Sequence, residues 1–321
     1  MRQRERHEVV NGGLATHPYV AEATPPLHRS GHELWFNSLR AVARGARIGD
    51  GVVLVQGNLF ASAERCLDCA TVSEKLSLTD AAVRAFEAGE LSVVSADAPR
   101  PIGAPGRPPR PLLVEPRKLP RRGLGSVLGR AALVHAVAHI EFNAVNLAWD
   151  AIYRFRGMPA AYYRDWIGVA GDEARHFRLL EARLGELGYA YGDFDAHDGL
   201  WEMAVKTSDS CLERMALVPR VLEARGLDVT PGMIERLRLA GDADTVRILE
   251  LILREEVAHV AAGSRWFAWC CLRSEVDAEA TFAALVHKFA RGAIRKPLNT
   301  DARRAAGFSD VDLERLAALA A

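Results

Sequence analysis

The chain has 321 residues, 49% of them hydrophobic and 26% charged, with 41 basic and 41 acidic side chains. That is ample for a large buried core and ordinary for a soluble globular protein. Zero net charge removes any global electrostatic case for nucleic acid or an anionic membrane, and no run approaches the roughly 18 apolar residues of a membrane span.

The first seven residues, Met1 to His7, are polar and lack the apolar stretch of a secretory signal. Residues 1–30 read as a loose arm, and 31–94 as a helical segment. In that segment a helix is expected from Glu33 to about Arg44, stopped by Gly45. The apolar run Val52–Val55 fits either a strand or a buried loop. Two helices are expected over 58–90, the second starting near Thr79 as N-cap and stopping near Gly89. The pair Cys66 and Cys69 has the spacing of half a zinc site or a redox couple. No second pair completes it, so two small half-buried residues on a helix is the plainer reading. The five cysteines (Cys66, Cys69, Cys211, Cys270, Cys271) form no disulfide framework and suit a reducing cytoplasm.

Residues 95–125 hold eight prolines between Pro99 and Pro120, interleaved with Arg100, Arg107, Arg110, Arg117, Lys118, Arg121 and Arg122. Such a stretch runs extended. It could grip RNA, but no aromatics are interleaved for base stacking, and a strap over the protein surface is the favoured expectation.

Residues 126–272 carry long apolar periodicities that predict an all-α four-helix bundle. Ser126 caps the first helix, which runs to about Arg156. The second spans about Ala160 to Leu187 and stops at Gly188. A twelve-residue link to Gly199 is long enough to cross the bundle at roughly 3.3 Å per residue. The third helix is expected over about Leu200 to Arg225, with a short extra helix from Thr230-Pro231 to Ala240. The fourth runs from about Ala243 to Leu272. Residues 273–321 add covering helices, Thr281 to Arg295 and one capped by Ser309.

Two Glu-x-x-His signatures lie inside these helices: Glu173 with His176, and Glu256 with His259. Residues three apart share a helix face, so each helix offers a carboxylate and an imidazole to one point. Two such helices, plus a carboxylate from each of two others, make the ligand set of a di-iron or di-manganese bundle. Glu141 is the first-helix candidate. It stands about fifteen residues from its helix end, and Glu173 stands about thirteen from its helix start, so an antiparallel pair sets them side by side. On the third helix two residues compete. Centring favours Glu213. The 33-residue spacing to Glu256, close to the 32 between Glu141 and Glu173, favours Glu223. His135 and His139 point away from Glu141 and read as core or supporting residues. Asp150, Asp172 and Arg175 could orient ligands or form surface ion pairs.

At Ala138-His139-Ile140-Glu141, Asp172-Glu173-Ala174-Arg175-His176, Met215 to Arg220, Leu222 to Asp228 and Arg254-Glu255-Glu256-Val257-Ala258-His259 the sequence resembles the ferritin-like superfamily of di-iron carboxylate proteins. Within it, residues 112–267 resemble a bacterial ferritin-like family labelled domain of unknown function 455. The Glu-Ala-Arg-His stretch is also similar to that of a bacterial tRNA hydroxylase. The resemblance implies the fold with two metal ions per chain, iron first and manganese second. The expected function is a cytoplasmic non-haem oxidoreductase that activates O2 to hydroxylate or oxidise an organic small molecule. Electrons would come from an external reductase, since no G-x-G-x-x-G is present. Metal storage or peroxide detoxification, as in ferritins and rubrerythrins, is one alternative; a non-catalytic helical scaffold is another. A homodimer is compatible with the chain.

Overall fold

The computed structural model describes residues 57–94, 97–290 and 292–320. The N-terminal arm, the helix expected over 33–44 and the apolar run at 52–55 lie outside the described residues. The fold is all-α. Its described strands are two residues each, Gly57–Asn58 paired in parallel with Leu91–Ser92.

Two helices precede the bundle. Helix α1 (Leu59–Asp68) starts where the Asn58 side chain accepts from the Phe60 and Ala61 amides. Helix α2 spans Val72–Glu87. It begins a full two turns before Thr79, which is therefore not its cap: Thr79 is buried, and its hydroxyl accepts the Trp149 indole N–H at 2.9 Å. Cys66 is buried on α1, and Cys69 is that helix's C-cap residue.

The bundle proper has four long helical runs. Helix α3 (Val127–Arg154) is capped by Ser126, and α4 (Ala160–Glu186) follows a short link in which Gly157 takes the positive φ of 72° that a side chain would resist. A separate short helix α5 (Gly199–Lys206) comes next. The third long run occupies 211–239: α6 (Cys211–Leu217), a π-helical turn (Val218–Glu223) and α7 (Ala224–Leu239). Helix α8 (Ala243–Arg273) is capped by Asp242.

The third run thus starts at Cys211, not near Leu200, and continues past Gly226 and Pro231. The break before it has a local cause. The Ser210 hydroxyl accepts from the Glu213 amide and starts a new helix, while the Thr207 hydroxyl donates to the Met203 carbonyl and closes the old one.

Side-chain contacts fix the helix directions. In the first hairpin Tyr162 bonds the Ala151 carbonyl near the link, and His176 meets Glu141 farther along. In the second, Arg238 pairs with Glu250 near the link, and Pro219 meets Gly263 far from it. Helices α4 and α8 are antiparallel, tied by Arg183 to Asp242 at one end and Asp165 to Arg265 and Trp266 at the other. Residues 187–210 therefore carry the chain from one end of the bundle to the other before the second hairpin begins. Asp150, near the end of α3, receives that arrival through Arg214 at 2.5 Å; both are buried.

The proline-rich stretch is a strap over this crossover and α3. Its bonds to the crossover run in both directions: the Arg107 guanidinium donates to Asp198 at 2.6 Å and the Val114 amide to the Ala196 carbonyl at 2.8 Å, while the Ala196 amide donates back to the Leu112 carbonyl at 2.9 Å. Arg100 pairs with Glu64 and Asp68, and Arg122 lies over Phe194.

Three helices close the chain: α9 (Ala278–Phe289), α10 (Thr300–Ala305) and α11 (Asp310–Leu319). They fasten to the π turn through Arg220, which bonds Asp312 at 2.7 Å and lies over the rings of Phe267, Phe282 and Phe308. No helix among the described residues is long and apolar enough to cross a membrane.

Candidate metal centre

Midway along the bundle, three side chains from the first hairpin meet three from the second. Glu141 (α3), Glu173 and His176 (α4) and Glu256 (α8) each offer a ligand atom, all within 4.8 Å of one another. Nδ1 of His176 stands 3.2 Å from Glu141, 3.5 Å from Glu173 and 4.0 Å from Glu256. Nδ1 of His259 stands 2.9 Å from Glu173 and 3.4 Å from Glu256. Both imidazoles thus aim the same nitrogen at the same two glutamates. Glu173 and Glu256 lie between the histidines, and Glu141 flanks His176.

Glu223, the last residue of the π turn, lies within electrostatic reach of the cluster. Burial, then the charges of Glu256 and Glu173, push its carboxyl up to about 8, while His259 pulls it down. Glu256, Glu173 and His259 are therefore among its near charged neighbours. Glu213 lies elsewhere, in the first turn of α6, where its amide is bound by Ser210. The centring that favoured Glu213 fails because the helix begins at 211 and not near 200.

The remaining charges show what the cluster lacks. Burial and the nearby Glu173 push Glu141 well above the carboxylate range, and the same two causes raise Glu256. Burial opposes ionisation of Glu173 as well, yet His259 and His176 hold it well below its usual value. Both histidines are pulled up against burial by the glutamates, His176 to about 11. Left to itself the cluster balances crowded carboxylates with protons. A divalent cation would displace them.

Hydrogen bonding points the same way. Oε2 of Glu173, Oε2 of Glu223 and Nδ1 of His259 are buried with no hydrogen-bond partner, although His259 Nδ1 is so near Glu173. Orphaned buried polar atoms are costly. Two of them, on Glu173 and His259, belong to the close contacts of the cluster, and the third is on Glu223, whose charge the cluster feels. The residues fit a metal: four carboxylates and two imidazoles, with no thiolate.

Behind the histidines sits a second pair of acids, exchanged between helices. Asp172, just before Glu173, meets Nε2 of His259 at 3.2 Å. Glu255, just before Glu256, meets Nε2 of His176 at 2.6 Å. Arg175 ties the two acids together at 2.7 Å each. Asp172 and Arg175 are among the supporting residues expected from the sequence; Glu255 is not. The signal was present: an acid precedes Glu-x-x-His in both copies. Asp150 serves the crossover instead, and His135 and His139 face the strap and crossover, His139 bonding Tyr191 at 2.8 Å.

Gly263 sets the approach of helices around the cluster. A Cβ there would lie 2.3 Å from two Pro219 side-chain atoms, so only glycine lets the π turn reach α8.

Residues 68–314 match the family model described as "Protein of unknown function (DUF455)". The chain belongs to this family. All six cluster residues, both outer acids and Gly263 fall inside the span matched by DUF455. An uncharacterized protein of Haemophilus influenzae is 46% identical over 214 residues, 64% of this chain and 74% of that one. No solved structure matches.

Proposed function

We propose that the cluster is a ferritin-like di-metal carboxylate centre serving an O2-activating oxidoreductase in a reducing cytoplasm. The observation that supports it is the paired geometry: two histidines from two helices turn the same nitrogen toward the same two glutamates. Glu141 and His176 would hold one ion, Glu223 and His259 the other, with Glu173 and Glu256 shared. Carboxylates and imidazoles without sulfur suit iron first and manganese second.

When bound, a reduced pair of such ions supplies the electrons that activate O2 for oxidation of an organic substrate. The protein's part is to position and to insulate. Glu255 and Asp172 orient the imidazoles and raise their basicity. The closely packed helices exclude bulk water, which strengthens each charge interaction inside. Electrons would come from a separate reductase.

Metal content after anaerobic ferrous loading tests the reading. About two ions per chain are expected, with Glu173→Ala and Glu223→Ala losing metal and Glu213→Ala retaining it. Less than about a tenth of an ion per loaded chain would defeat the proposal, since a six-ligand site should fill. O2 uptake coupled to a product separates an oxidase from metal storage.

A further inference from the structure

Between the strap and α3 lies a cavity of about 240 Å³. Pro108, Pro109, Pro111, Leu112 and Leu113 supply an apolar roof, and Phe142 an apolar floor. Leu112 and Leu113 remain 51% and 42% exposed, which leaves an apolar rim at the surface. The polar lining is limited to Arg107, His139 and Tyr191, and it includes no carboxylate.

Each polar group has a settled role. Both nitrogens of the His139 ring are engaged, Nδ1 with the Tyr191 hydroxyl at 2.8 Å and Nε2 with the His197 carbonyl at 3.2 Å. Arg107 spends one terminal nitrogen on Asp198 at 2.6 Å, while its Nε is buried with no partner. Behind Phe142 lies a second buried cation. The Lys75 ammonium, 5.7 Å from that ring's centre, bonds the Cys66 and Leu67 carbonyls and the Asn146 amide oxygen. Asp68, which also acts on Lys75, is already paired with Arg100, and Glu181 acts on Tyr191 from the α4 side.

We propose that this cavity binds a small carboxylic acid with a compact apolar body, the carboxylate toward Arg107 and the body between the prolines and Phe142. The volume falls below the roughly 300–1,000 Å³ of drug-sized pockets, which limits the body to about one ring. A guanidinium prefers carboxylate to other acceptors. The site is separate from the metal cluster. No cluster residue lines the cavity, and Phe142, which does, packs with Phe177 and Tyr191 at ring-centre distances of 5.0–5.6 Å within that trio. The inference therefore stands or falls apart from the metal reading.

Benzoate and its neutral analogue benzamide are suitable probes, titrated by calorimetry or ligand-observed NMR against the full chain, with or without metal. Benzoate should saturate with a Kd of about 1 mM or tighter, and bind about tenfold better than benzamide. Arg107→Gln should bring the two within about twofold. Because Arg107 also anchors the strap, Leu113→Trp provides the second test. It alters an exposed side chain at the rim, and should weaken benzoate about tenfold with melting temperature unchanged. No saturation by about 10 mM benzoate, equal affinity for both probes, or binding indifferent to both substitutions would overturn the proposal.

Discussion

Nε2 of His176 lies 2.6 Å from Oε2 of Glu255, a residue on another helix that does not face the cluster centre. Asp172 holds His259 in the same manner at 3.2 Å. Groups that orient a ligating imidazole typically cost about 10–100-fold in metal affinity when removed. Glu255→Ala is expected to weaken metal binding within that range, measured by chelator competition, while Glu255→Gln retains part of it. An affinity indistinguishable from the parent chain would show that His176 needs no such support.

Gly263→Ala should destabilise the protein without touching a charged group. The added methyl meets the Pro219 ring at 2.3 Å, and overpacking of a tight contact costs about 1–3 kcal/mol. The denaturant midpoint should fall. Pro219→Ala in the same chain should recover part of the loss, since it removes one of the colliding atoms. Losses that simply add would place the strain elsewhere.

Acid should loosen the crossover. Burial pushes His135 and His139 each down to about 4 from an ordinary 6.5. With the folded value below the unfolded one, the unfolded chain binds more protons between pH 6.5 and 4. Stability contributed by the neutral rings is whole above the unfolded value and declines as pH falls through this window. Each ring accounts for roughly 1–3 kcal/mol. His135→Gln can still accept the Gly192 amide that Nε2 now accepts at 2.9 Å. Its unfolding free energy, followed from neutral pH down to 4, should fall less steeply than that of the parent.

Asp150 and Arg214 should be far more sensitive than the surface pairs. Asp150 receives Arg154 at 2.6 Å and Arg214 at 2.5 Å, and Arg214 also donates to the Thr207 hydroxyl and the Ala204 carbonyl. Asp150→Ala strands a buried guanidinium, a change that costs about 3–5 kcal/mol. Arg247→Ala, which removes an exposed partner of Asp244, should cost under about 1 kcal/mol. Parallel urea titrations compare them directly.

The antiparallel meeting of Glu141 with Glu173 and His176 was legible because two hairpin arms of matched length bring equal distances from the link side by side. The same rule misled on the third helix. The apolar stretch at 199–206 reads as its opening turns, whereas Thr207 and Ser210 end one helix and begin another. That moves the helix centre from Glu213 toward Glu223. The π turn was illegible, because its determinants are distant: Pro219 against Gly263, and Arg220 among three phenylalanines. Composition showed that the proline-rich stretch could not be helical. It could not show that Arg107 would find Asp198, a partner 91 positions away.

Each hairpin of the bundle carries three of the six cluster side chains, and only the crossover joins the hairpins along the chain. An ion held by all six would act as a clasp between two halves, and would stiffen no single helix. Withdrawing it would be felt first as a parting of the hairpins along the α4–α8 seam, with each helix still wound. The strap and the Asp150–Arg214 pair lie on the α3 side, so they would serve as the hinge about which that seam opens.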